Sequence, residues 1–183
     1  MLPLHMDHAD ELWEAAQFPE IWAYMPIRLD IPPERETVEA WIRESLRAQK
    51  TGAELPFAIC DKETGRLIGS TRFLDISVPN RSLEIGWTWL TPAAWRSRIN
   101  TECKYLLLSH CFEEINAIRV QFKTDSRNLR SQQAIERIGG VREGVLRHHR
   151  ILPDGYLRDS VYFSILSEEW PAAKARLESW LAK

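Results

Sequence analysis

Apolar positions along the 183-residue chain change period several times, and each change marks an element. Leu12, Trp13 and Ala16 share one side of a helix predicted over 8–16. Pro26 and the pair Pro32-Pro33 then interrupt the pattern with a loop. Val38, Trp41, Ile42 and Leu46 recur at helical spacing until Gly52 stops them. Strands are predicted over 55–60 and 66–74, joined as a hairpin by the turn DKETG, and again over 83–90. The strongest helix spans 100–115: Cys103, Leu107 and Cys111 share a face that Leu108, Phe112 and Ile115 widen. A strand over 118–124 and a helix over 131–138 follow. Two more strands, 141–151 and 156–166, flank the hairpin signal Pro153-Asp154-Gly155. Ser167 is placed to cap a last helix carrying Trp170, Leu177 and Trp180. A short strand over 2–4 opens the chain.

This order predicts a mixed sheet with helices packed on it. The early hairpins pair antiparallel, and the strand–helix–strand unit over 83–125 is locally parallel. No repeat, low-complexity tract or interdomain linker appears, so 1–183 reads as one domain. Composition narrows the classes. The apolar share is 44% and the charged share 27%, which is ordinary globular usage. A formal charge of −2 argues against nonspecific nucleic-acid binding. Eight tryptophans suit a core, an aromatic-lined cleft, or both. Cys60, Cys103 and Cys111 are odd in number, form no CxxC pair and sit within apolar patterns, which points to a reduced protein without a metal site. No apolar run reaches membrane-spanning length. The opening MLPLHMDHADELW has neither a basic leader nor a signal core, so a cytoplasmic location is expected.

Chemistry concentrates between Leu83 and Gly140. The loop TPAAWRSR carries Arg96 and Arg98 immediately before a helix whose first residues, Asn100 and Thr101, favour helix starts. Guanidinium groups beside a helix N-terminus suit phosphate, although the same loop can simply be a solvated cap. In strand alternation Glu84, Gly86 and Thr88 share one face, with Ile85, Trp87 and Trp89 on the other. Glu84 is the candidate base, weighed against a structural ion pair. Asn128 and Ser131 form an N-x-x-S unit at a helix start, where capping alone explains both. His148 and His149 alternate across a strand and cannot easily share a metal. His110 lies on the long helix and reads as a surface or satisfied residue, and Asp159 fits either the lining of an acceptor pocket or a structural role at a strand end. Ser109 and Ser164 have no visible His/Asp partner, so a hydrolase triad is unsupported.

The succession LEIGWTWL, TPAAWRSR, INTECKYLLLSHCFEEI, IRVQFKTD and SRNLRSQQAIERIGG resembles the acyl-CoA-binding half of the GNAT N-acetyltransferases, particularly the RimJ/RimL type. The order fits along nearly the whole chain, except that the first strand is short. The resemblance implies an α/β (α+β) fold, with a mixed, mostly antiparallel central sheet of about six to seven strands flanked by helices. It implies acetyl-CoA as cofactor and direct attack of a primary amine in a ternary complex. Glu84 and Ser131 then become catalytic: a base, and a hydroxyl near the sulfur. Leu90, Thr91, Trp95, Arg96, Ser97, Arg98, Ile99, Asn100, Thr101, Asn128 and Ser131 become cofactor contacts. One motif departs from the family. Where its phosphate loop reads Q/R-x-x-G-x-G/A, this chain has Trp95-Arg96-Ser97-Arg98-Ile99-Asn100. The departure keeps a second reading open, a noncatalytic acyl-CoA-binding module. A third, RNA association through Arg96 and Arg98, is disfavoured by the acidic balance and the lack of an aromatic RNA platform. The expected partner is an amine acceptor, a protein N-terminus or a small molecule. Neither nucleic acid nor membrane is expected, and a homodimer is allowed.

Overall fold

The computed structural model describes residues 1–26 and 32–182. The middle of the loop between Pro26 and Pro32 lies outside the described residues. Seven strands form one sheet: β1 (Leu2–Pro3), β2 (Glu54–Cys60), β3 (Leu67–Ser77), β4 (Ser82–Leu90), β5 (Arg119–Asp125), β6 (Val141–Ile151) and β7 (Leu157–Leu166), in the order β1-β2-β3-β4-β5-β7-β6. Every neighbouring pair is antiparallel except β4 and β5, which are parallel. This is the mixed, mostly antiparallel sheet that the strand order predicts.

Helices cover both faces. Against one lie α4 (Ile99–Ser109), α5 (Leu129–Arg137) and α6 (Trp170–Leu181), whose Leu107, Leu108, Ile135 and Leu177 pack on Ile85, Val120, Phe122 and Phe163. Against the other lie α1 (Ala9–Ala15), α2 (Pro19–Trp22) and α3 (Arg35–Lys50), where Leu12, Trp22, Val38 and Ile42 meet Ala58, Leu67 and Trp89. Each fully buried Leu, Ile or Phe contributes about 1.5–3 kcal/mol by leaving water. The α3 stripe follows from its sequence: Val38, Ile42 and Ser45 turn inward, while Arg35 and Glu39 pair outward one turn apart.

Two helix boundaries and the register of one strand differ from expectation. The strongest helix ends at Ser109, and a wider turn over His110–Glu114 completes it, leaving Ile115 half exposed. The last helix starts at Trp170 with Pro171 in its first turn and Glu169 at the cap position. Ser167 does not cap it; Glu169 instead accepts from the Leu166 N–H at 2.8 Å. In β4 one extra residue lies between the pairs Arg72↔Gly86 and Ser70↔Trp89. This bulge, with Trp87 at φ 51°, reverses the alternation. Ile85 packs towards α4, whereas Trp89 joins the α1–α3 side against Trp22 and Trp41. The expected shared face of Ile85, Trp87 and Trp89 therefore does not form, because one inserted residue flips every later side chain.

The feature that positions the site is a break in the sheet. β4 and β5 pair only over Ser82↔Arg119, Leu83↔Val120 and Glu84↔Gln121. β5 stays on β7 through Asp125, and β4 stays on β3 through Leu90. The two strands therefore part after Glu84, leaving the facing backbone edge of residues 85–90 without a strand partner.

Candidate functional site

A cavity of about 670 Å³ occupies the gap between β4 and β5, within the size range of small-molecule sites. Glu84 stands where the strands separate. It is 1% exposed and accepts from Gln121 Nε2 at 2.9 Å and Lys123 Nζ at 3.0 Å. Burial pushes its carboxyl above the usual range, and the bonds to Gln121 and Lys123 oppose that shift. A carboxyl held this way binds a proton more readily than a solvated one, which is what a base for an ammonium group requires.

The loop before α4 closes the other end. Arg96 lies at φ 60°, a left-handed backbone that normally favours glycine. Arg98, at the family's first glycine position, has φ −70° and needs none. The loop therefore does not keep right-handed geometry throughout; its single unusual dihedral sits two residues earlier than the motif places it. Ser97 organises the turn, donating to the Ala94 carbonyl at 2.7 Å and accepting from the Ile99 N–H at 3.2 Å. The helix thus starts at Ile99, and neither Asn100 nor Thr101 caps it. Trp95 donates to the Leu90 carbonyl at 2.8 Å and pins the loop to the end of β4.

Leu90, Trp95, Arg96, Ser97, Asn100, Asn128 and Ser131 line the cavity together with Glu84. Thr91, Arg98, Ile99 and Thr101 do not line it. Arg98 reaches away and donates to the Leu181 carbonyl of α6 at 3.1 Å. Thr101 is buried and accepts from Arg137 Nη2 at 2.8 Å. Asn128 caps α5, its Oδ1 accepting from the Ser131 N–H at 3.0 Å, as local sequence alone predicts. Among the described residues the Asn128 side-chain amide and the Ser131 hydroxyl have no further partner, and both residues line the cavity.

Several cavity residues were not singled out from sequence. Arg130 and Arg137 of α5 flank the loop, with the Arg130 guanidinium 3.7 Å from the Trp95 ring. Their helical spacing gave no sign that α5 packs beside that loop. Lys104 of α4 is buried, and its ammonium donates to the Thr88 hydroxyl at 2.6 Å with no carboxylate within ion-pair distance among the described residues. Desolvation lowers its pKa to about 8. An isolated lysine in an apolar helical stretch was the available signal. Lys123, Arg150 and Arg158 complete the wall on the β5–β7 side.

The site is thus a slot between splayed parallel strands, with a basic helix start at one end and a buried carboxylate at the other. The Acetyltransferase (GNAT) domain model matches residues 1–141. The chain belongs to the GNAT acetyltransferase family. Among GNAT relatives, a Bacillus subtilis (strain 168) protein with the provisional name ribosomal N-acetyltransferase YdaF is 32% identical over 110 residues, 60% of this chain. The match spans 59% of that relative's own length. A provisionally named acetyltransferase from T. thermophilus superposes with a TM-score of 0.87 at 40% identity, over 98% of this chain and 91% of its own. RimJ from Mycobacterium smegmatis, solved in complex with CoA-disulfide, shares the fold with a TM-score of 0.83 at 23% identity, over 97% and 86% of the two chains. These relatives are in keeping with the RimJ/RimL likeness of the sequence.

Proposed function

We propose that this GNAT domain is an acetyl-CoA-dependent N-acetyltransferase acting on a primary amine by direct attack in a ternary complex. The opening of the sheet after Glu84 carries the reading. It places an unpaired strand edge, a basic helix start and a buried carboxylate around one cavity. The residues fit the cofactor. Arg96, Arg130 and Arg137, with the N–H groups at the start of α4, suit its phosphates. The free edge of residues 85–90 suits its amides. Bound acetyl-CoA would supply the activated acyl group. Asn128 would orient the arm of the cofactor, and as the amine–carbonyl bond forms and the carbon–sulfur bond breaks, the Ser131 hydroxyl would hydrogen-bond the thiolate that leaves as CoA. Glu84 would take the amine's proton, directly or through water, and N–H groups of β4 would hold developing negative charge at the carbonyl. Positioning of this kind supplies up to roughly 7–11 kcal/mol in well-oriented systems, so few side chains are needed.

A peptide N-terminus is the acceptor that the relatives' ribosomal names favour. The test combines calorimetry with an acetyl-transfer assay on an amine panel. Saturable one-to-one binding of acetyl-CoA with turnover supports the reading. Binding without transfer to any amine would favour the noncatalytic module that the altered loop raises, and no binding would overturn both.

A further inference from the structure

We infer that the acceptor carries a carboxylate close to its amine, and that Arg150 and Arg158 receive that carboxylate across the cavity from the cofactor phosphates. The inference rests on the acetyltransferase reading and narrows its acceptor, selecting an acidic amine over a polycationic one.

The charge distribution of the cavity motivates it. Among the described residues its lining holds one carboxylate, Glu84, against Arg96, Lys104, Lys123, Arg130, Arg137, Arg150 and Arg158. The chain as a whole is net negative, so this is local segregation of charge. Arg96, Arg130 and Arg137 gather at the loop and α5, where the cofactor phosphates would lie. Lys104 is buried against Thr88, and Lys123 is held by Glu84 at 3.0 Å and Asp75 at 3.4 Å. Arg150 and Arg158 are left on the β6–β7 wall.

Their geometry is unusual. Arg150 and Arg158 are direct cross-strand partners, an arrangement in which like charges repel. A bulge creates it. The register shifts between Leu146 and Arg150, where His148 takes φ 50° and its N–H donates to Asp159 Oδ1 at 2.7 Å. In an uninterrupted ladder His148, not Arg150, would stand opposite Arg158. Bulges re-aim side chains beside functional sites. Arg158 is 6% exposed, and its Nε lacks a hydrogen-bond partner among the described residues. Its nearest carboxylate, Asp125, lies 3.8 Å away and is already held by Arg127 through bonds of 2.9 and 2.7 Å. Arg150 has no ion pair among the described residues. Ser160 and His149, joined at 3.0 Å, and Tyr162, 3.3 Å from His149, supply neutral polar groups beside the pair. A carboxylate entering here relieves the Arg–Arg repulsion and gives the Arg158 fork a partner. An aminoglycoside or polyamine would add positive charge to a wall that already has an excess.

The test measures acceptor affinity calorimetrically on the CoA-loaded protein, with acetyl transfer followed in parallel. The probes are the peptides Ser-Asp-Asp-Ala and Ser-Asn-Asn-Ala with amidated C-termini, free glutamate, spermidine and kanamycin. The acidic peptide is expected to bind at least about tenfold tighter than its neutral isostere, with the advantage shrinking as ionic strength rises. Spermidine and kanamycin are expected to bind weakest. Glutamate binding as tightly as the acidic peptide assigns the site to free amino acids; preference for the peptide assigns it to protein N-termini. Arg150→Gln, an exposed position that should fold normally, is expected to abolish the acidic preference while leaving CoA affinity unchanged. Equal binding of the two peptides, tightest binding of the cationic amines, or an unchanged preference in Arg150→Gln overturns the inference. Failure of CoA itself to bind overturns the acetyltransferase reading instead.

Discussion

At the scale of single residues, two buried ionisable groups do different work. Glu84 is held by Gln121 and Lys123 in the wall of the cavity, and burial raises its pKa. A carboxyl with a raised folded pKa costs stability once pH rises above its unfolded value and the group must ionise. Glu84→Gln should therefore fold at least as well near neutral pH, with Lys123 keeping Asp75. Turnover should fall by about 10²-fold, recovering partly at high pH and least for amines of high pKa. Loss of stability with normal turnover would make Glu84 a structural ion-pair partner only. Lys104 shows the opposite sign. Its pKa drops from 10.5 to about 8, so between those values the unfolded chain holds more protons and stability rises with pH. Below pH 8 its burial costs about 3 kcal/mol. Lys104→Met should raise the melting temperature at pH 7, and the gain should fade between pH 8 and 10.5. A gain independent of pH would mean that packing, not charge, is responsible.

At the scale of elements, the loop between β4 and α4 separates strain from charge. Arg96 holds a left-handed backbone that costs an L residue about 1–2 kcal/mol, while glycine brings back about 0.5–1 kcal/mol of chain entropy. Arg96→Gly should keep or slightly raise stability while weakening acetyl-CoA binding about tenfold through the lost cation. Arg98, which the motif places at the cofactor, and Arg130, which it does not mention, should exchange parts. Arg98 binds the end of α6, so Arg98→Ala should leave cofactor affinity unchanged and cost less than about 0.5 kcal/mol of stability. Arg130 stacks on Trp95 inside the cavity, so Arg130→Ala should weaken binding. Calorimetry on the three variants decides the matter, and equal loss for Arg98 and Arg130 would overturn the assignment.

At the scale of the whole molecule, cations from α4, α5, β5, β6 and β7 converge on one cavity in a chain of net negative charge. Because Arg96, Arg130 and Arg137 are the ones placed for the phosphates, cofactor affinity should fall with salt, most steeply below about 0.1 M, where the screening length exceeds about 10 Å. A salt-independent affinity would indicate that the cofactor is held by backbone and apolar contacts alone. The order of elements was legible in the sequence because it follows from local periodicity and turn chemistry: β4, α4, β5 and α5 stand where apolar spacing and Asn128 predict them. Glu84 and the Arg96 loop were legible for the same reason, as residues at the ends of recognisable elements. What periodicity cannot carry is an inserted residue or a contact between distant segments. The β4 bulge reversed the faces of Trp87 and Trp89, and the β6 bulge brought Arg150 opposite Arg158. The splaying of β4 from β5 depends on how each strand is held by its other neighbour. Arg130, Arg137, Lys104 and Arg158 reach the cavity only because helix packing and sheet order place them there. The sequence by itself determined the elements and their succession, since each depends on interactions a few residues apart. The tertiary structure alone decided which side chains share the cavity, since that depends on register and packing between segments far apart in the chain.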